Sequence, residues 1–180
     1  MKKIYTLLLL LAVTLGANAQ RFAVRTDAVW WGLMSPNVGA ELTVDERMTI
    51  GLDWITMHNP WGKTCHANII QPEFRYYFSS RAMNRVFVGV AGLFCPYTAT
   101  VKNKELDGYA LGAGLTFGYV LPITKRFVID FHAGYGATFY QQKQYWVGDS
   151  YVNDYGNSSN ARGCYWLPTK IGVSLTYIIK

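Results

Sequence analysis

The chain has 180 residues, a formal charge of +6, 16 % aromatic residues and three cysteines. That length favours one domain. Basic residues that are dispersed rather than clustered indicate no nucleic-acid partner, and an odd cysteine count rules out a disulfide framework as what holds a monomer together.

At the start, Lys2 and Lys3 precede an apolar run from Leu7 to Leu15, and Ala17-Asn18-Ala19 places small residues at −3 and −1 of a cleavage site. Residues 1–19 therefore read as a cleaved signal peptide, and residues 20–180 as the mature domain with a charge of about +4. Gln20 rather than a cysteine stands immediately after the site, so no lipid anchor is expected. No later stretch reaches the roughly 20 consecutive apolar residues of a membrane-spanning helix.

Strand-like sequence begins at Phe22 and runs to Leu33, with Arg25 and Asp27 on one face and Val24, Thr26, Ala28 and Trp30 on the other. Ser35-Pro36-Asn37 marks a turn. A second strand, Asn37 to Val44, and a third, Met48 to His58, flank the polar turn Asp45-Glu46-Arg47. Glu41 and Asp53 lie opposite Leu42 and Trp54. Asn59 to Lys63 opens a loop. The fourth strand, Ala67 to Phe78, turns Glu73 and Arg75 inward, and Pro72 on its outer face predicts a bulge or local bend. Val86 to Val101 makes a fifth strand, apolar on both faces, that the pattern alone does not orient.

Lys102 to Asp107 reads as a charged loop. From Gly108 to Gln142 two long strands alternate with period 2, joined at Pro122 to Arg126. Leu111, Leu115, Phe117, Phe131, Tyr135 and Phe139 share one face; Asp130, His132 and a series of glycines share the other, and a helix would scatter both sets. Gly148 to Gly163 is the longest loop. The last strand, Tyr165 to Ile179, sets Lys170, Gly172, Ser174 and Thr176 against Ile171, Val173 and Leu175.

Eight strands with an apolar outer face predict an all-β fold, an eight-stranded antiparallel up-and-down transmembrane β-barrel, with lipid outside and a packed polar lumen inside. Connections after strands two, four and six read as short periplasmic turns, and those after three, five and seven as longer external loops. Thirteen tyrosines and six tryptophans suit girdles at two membrane interfaces. A soluble eight-stranded barrel with a lipophilic ligand inside is the alternative fold, and the charged inward face argues against it.

The blocks SPNVGAELTVDERMTIGLDW, PEFRYYF, GYALGAGLTFGYVLPITKRFVIDFHAGYG and LPTKIGVSLTYIIK resemble consecutive blocks of the Bacteroidota outer-membrane β-barrel family catalogued as domain of unknown function 3575. The resemblance covers nearly all of the mature chain. It implies a small outer-membrane barrel and carries no activity or catalytic residues to transfer. Some members are encoded beside surface-fimbria genes, which implies a role at the cell surface.

Arg25, Asp27, Glu41, Asp53, Glu73, Arg75, Asp130, His132 and Lys170 all fall on the inward face. Charges in a low-dielectric interior are costly unless paired, so these nine predict a lumen charge network that plugs the barrel. Gly112, Gly114, Gly118, Gly134 and Gly136 are expected to leave it room. A small-solute or ion conduit along the same residues is the alternative function. A lipid-modifying enzyme is a third reading, but His132 has no serine two residues away on its own strand and no nucleophile–base pair is evident. No catalytic residue is therefore assigned. His58, Cys65, His66, Cys95 and Cys164 cluster near the external rim with spacing that fits no standard metal site, so no metal or cofactor is expected. Tyr145, Trp146, Tyr151, Tyr155 and Trp166 surround the longest loop as candidates for contact with surface proteins or glycans. The partners so implied are outer-membrane lipids and, through the external loops, those proteins or glycans, in a structural or surface-interaction role.

Overall fold

The structure is a computed structural model and describes residues 21–148 and 159–179. The signal-peptide segment, and Tyr151 and Tyr155 of the longest loop, lie outside them. Eight strands form one closed antiparallel ring in sequence order: β1 (Phe22–Asp27), β2 (Asn37–Asp45), β3 (Met48–His58), β4 (Cys65–Tyr77), β5 (Arg85–Val101), β6 (Lys104–Pro122), β7 (Phe127–Trp146) and β8 (Ala161–Ile179). β1 closes the ring on β8, with Phe22 opposite Ile179 and Asp27 opposite Ser174. No helix among the described residues is long and apolar enough to cross a membrane, which says nothing of strands.

Several boundaries differ from the sequence pattern. The first strand stops at Asp27 because its carboxylate caps a short helix, α1 (Ala28–Gly32): Oδ1 accepts from the backbone N–H groups of Val29 (2.8 Å) and Trp30 (3.4 Å). Ala-Val-Trp-Trp carries strand propensity, and a local cap overrides it. The charged loop after β5 shrinks to two residues, Lys102 and Asn103, both left-handed (φ 50° and 64°), as a tight hairpin turn demands. The connection expected to be a longer external loop is therefore short. β8 begins at Ala161, four residues earlier than the alternation indicates.

Pro72 produces no bulge. It pairs in register with Leu52 of β3, and the β4–β5 register is the same on either side of it. Gly92 of β5 supplies the room, since a Cβ there would sit 3.1 Å from Pro72 Cγ. Register shifts fall instead on β7–β8, between Gly134 and Tyr135, and on β2–β3, between Thr43 and Asp45. β5 resolves its orientation by packing, with Phe87 and Ala91 buried inside and Val86, Val88 and Val90 exposed outside.

The ring is polar within and apolar without. Leu115 is 69 % exposed and Ile171 60 %, whereas Arg75 is 1 % exposed. The interior is layered along the strands. At the end that carries β1's start and β8's finish, here called the inner end, Tyr77, Ala82, Phe87, Val120 and Val128 form an apolar layer. The ionisable residues lie above it. Tyr97, Tyr140 and Tyr165 lie towards the outer end, where Tyr140 and Tyr165 stack with rings 5.5 Å apart and only 2° from parallel.

Candidate functional site

The interior charge cluster is assembled from six strands. β1 contributes Arg25 and Asp27, β2 Glu41, β3 Asp53, β4 Glu73 and Arg75, β7 Asp130 and His132, and β8 Lys170. Period 2 puts each on the inner face, and closure of β1 on β8 brings the two ends of the chain into one cluster. Eight of the nine are buried; Asp53 is half-buried.

Arg25 holds Asp53 through two parallel bonds, Nε–Oδ1 at 2.6 Å and Nη2–Oδ2 at 2.7 Å. Its Nη1 reaches Glu41 Oε2 at 2.8 Å and its Nη2 reaches Glu73 Oε2 at 3.3 Å. Planar guanidinium geometry suits this forked pairing. Lys170 Nζ donates to Asp53 Oδ2 and to Glu73 Oε2, each at 2.6 Å. Arg75 Nη1 reaches Asp130 Oδ2 at 2.6 Å and Glu41 Oε2 at 3.4 Å, and its guanidinium lies 4.2 Å above the Phe87 ring. Arg75 Nε is 2.9 Å from Glu73 Oε2 but poorly aligned for a hydrogen bond, so that contact is chiefly ionic.

Neutral donors complete the carboxylates. Thr49 (2.6 Å) and the Tyr77 hydroxyl (2.8 Å) both donate to Glu41 Oε1, Thr116 to Glu73 Oε1 (2.8 Å), and Ser174 to Asp27 Oδ2 (3.0 Å). These four carry no signal in the sequence beyond lying on the inward face. The glycines that make room were also misplaced by pattern alone. Of the five expected on β6 and β7, Gly134 alone faces a network side chain, Lys170, while Gly112, Gly114, Gly118 and Gly136 pack against backbone, threonines or Phe87. Room for the charges comes from Gly39, where a Cβ would run into Asp53 and Arg25, and from Gly172, where it would run into Asp27 and His132.

His132 sits at the looser edge. Its Nε2 is 3.4 Å from Asp27 Oδ2, and its Nδ1 is 3.7 Å from Asp130 Oδ1, beyond hydrogen-bond reach. A cavity of about 10 Å³ adjoins it, lined by Asp27, Lys170, Ser174 and Asn37 among others, room for about one water molecule. Ser174, Asp27 and His132 thus meet across β8, β1 and β7, a juxtaposition between strands that the histidine's own strand does not reveal. The order is wrong for acyl transfer: the hydroxyl bonds the carboxylate rather than the imidazole, so no base takes its proton. Among the described residues no group of three or more His, Cys, Asp or Glu side chains is placed to hold a metal ion.

The candidate contact residues at the outer end scatter. Trp166 is exposed and stacks on Tyr135 at 6.3 Å. Trp146 lies under Lys104 Nζ at 4.8 Å, and Tyr145 pairs across strands with Glu105. His58 and His66 meet edge to face at 4.3 Å.

The fold and its interior define a class: an all-antiparallel closed ring, ion-paired inside and apolar outside. A family model described as "Protein of unknown function (DUF3575)" matches residues 5–179, and the chain belongs to that family. No curated protein matches the chain, and no solved structure does.

Proposed function

We propose that this chain is a small outer-membrane β-barrel whose lumen is closed, acting as a structural or surface-interaction protein, adhesin- or fimbria-associated, rather than as a conduit or an enzyme. The observation that carries the reading is the inversion of burial: arginines, a lysine and carboxylates pack inside, while Leu52, Phe74, Phe131, Ile171 and Leu175 are exposed on the outside of the same strands. Soluble monomers rarely present apolar side chains as a band around the whole molecule, whereas lipid requires one.

Closure supports the structural role over a conduit. Arg25, Arg75 and Lys170 bridge all but one of the five acids within 3.4 Å across the bore, and Asp27 is engaged by Ser174 and α1. A surface role is supported by aromatic and amide groups at the outer end, where Tyr97 and Tyr109 donate to Gln142 (2.5 Å) and Gln141 (2.6 Å). Heat-modifiable migration on gels, outer-membrane fractionation and planar-bilayer recording test the reading together. A membrane-resident, heat-modifiable protein without steady conductance is expected; recovery as a soluble periplasmic protein would overturn it, and discrete channel openings would favour the conduit.

A further inference from the structure

The inner end of the ring differs from the ion-paired interior in its excess of cations, with Arg21, Arg47, Arg81, Arg85, Lys125 and Arg126 against Asp45 and Glu46 among the described residues. A cavity of about 450 Å³ opens there, and its polar rim is built from Arg21, Arg81, Lys125 and Arg126. Among the described residues no carboxylate side chain lines it. Its floor is apolar, formed by Met83, Val128 and Ile178 beneath the Tyr77–Phe87 layer.

The rim is held from two sides. The 79–84 connection folds into the mouth of the ring and buries Ala82 and Met83. Ala82 N–H donates to Glu46 O at 2.6 Å, and the Ser79 hydroxyl lies 2.6 Å from Arg81 O and 2.8 Å from Asn84 O. Met83 and Arg85 are both left-handed (φ 58° and 60°), a conformation that is costly for non-glycine residues and persists only where surroundings impose it. Opposite, Thr124 Oγ1 accepts from the backbone N–H groups of Arg126 and Phe127, and Arg126 O accepts from Ile178 N–H at 2.8 Å. Both cation-bearing turns are therefore fixed.

We infer that this cavity is a binding site for a small oxyanion carrying two or more phosphate or carboxylate groups, entering from the aqueous side of the inner end. Its volume lies in the range of about 300–1,000 Å³ typical of small-ligand sites. Guanidinium forks recognise both oxyanions in bidentate fashion. Cations on both sides of the mouth favour an anion with two charged ends over a single carboxylate. The site rests on the ring's interior and two turns, so it is independent of the membrane reading.

Calorimetry on the full mature chain in nanodiscs tests it, with pyrophosphate and citrate as probes at physiological ionic strength. Arg81 and Lys125 are exposed, and their side chains bond to nothing among the described residues, so the double variant Arg81→Gln/Lys125→Gln keeps the fold intact. Sub-millimolar binding, weakened about tenfold or more by that variant and unchanged by Arg47→Gln/Arg85→Gln at the same end but outside the cavity, is the expected result. Equal loss in both double variants would show a diffuse basic field instead, and absence of heat for both probes would also overturn the site. Competition of pyrophosphate by cardiolipin, whose headgroup carries two phosphates, but not by phosphatidylcholine, in the disc would name a lipid headgroup as the source; equal affinity in both discs would name a soluble anion.

Discussion

Arg25 and Arg75 occupy similar surroundings, yet their loss should not be equivalent. Remove Arg25, and Asp53 and Glu73 keep Lys170, while Glu41 keeps Thr49, Tyr77 and Arg75. Remove Arg75, and Asp130 is left with Arg25 Nη1 at 3.9 Å and His132 Nδ1 at 3.7 Å, neither a hydrogen bond. Arg75→Met should therefore cost about 3–5 kcal/mol, as stranding a buried charge does. Asp130→Asn removes the stranded charge, so adding it to Arg75→Met should recover part of that loss, with a coupling of about 2 kcal/mol across the cycle. Denaturant unfolding of the four proteins, followed by tryptophan fluorescence, measures it; simple additivity would mean that Arg75 and Asp130 are not energetically paired. The inward placement of these residues was legible in the sequence, because a strand's face follows from parity alone. Which cation meets which acid was not, because Lys170 and Asp53 lie 117 positions apart and meet only once register and closure are fixed.

β1 is six residues long and β8 nineteen, and this mismatch is the main irregularity of the ring. From Ser174 to Tyr177, β8 is paired on both sides; from Ala161 to Gly172 it is paired with β7 alone among the described residues, and α1 takes the place of further strand. Pro168 sits in that one-sided stretch, where a missing N–H is tolerated. Hydrogen exchange should show the difference: uniform protection over Leu175–Tyr177, and alternating protected and fast amides over Arg162–Leu167, as one edge is open. Uniform protection of both halves would mean that a further segment covers the β8 edge. The β6–β7 hairpin was readable because its alternation runs unbroken through both strands with a tight turn between them. The end of β1 was not, because Asp27 fits equally as the next inward strand residue and as a helix cap, and the cap wins only when its carboxylate is held by Ser174 from the far end of the chain.

At the scale of the whole molecule the two ends are chemically unlike. The inner end carries Arg21, Arg47, Arg81, Arg85, Lys125 and Arg126 against Asp45 and Glu46 among the described residues, on short or folded-in connections. The outer end carries the α1 segment, the 59–64 connection and the β7–β8 connection. In a membrane reading, short turns and both chain ends belong on the periplasmic side, and long connections outside. That orientation is decidable with a membrane-impermeant maleimide in a background where Cys65, Cys95 and Cys164 are each replaced by serine. Lys63→Cys, on the exposed 59–64 connection, should label on intact cells. Lys125→Cys, on the 123–126 turn at the mouth of the basic cavity, should label only after the outer membrane is permeabilised. Reversed labelling would put the basic cavity on the outer surface of the cell and the aromatic outer end in the periplasm. The surface-interaction role would fall with it, because that role depends on Tyr97, Tyr109, Tyr145 and Trp166 facing outward.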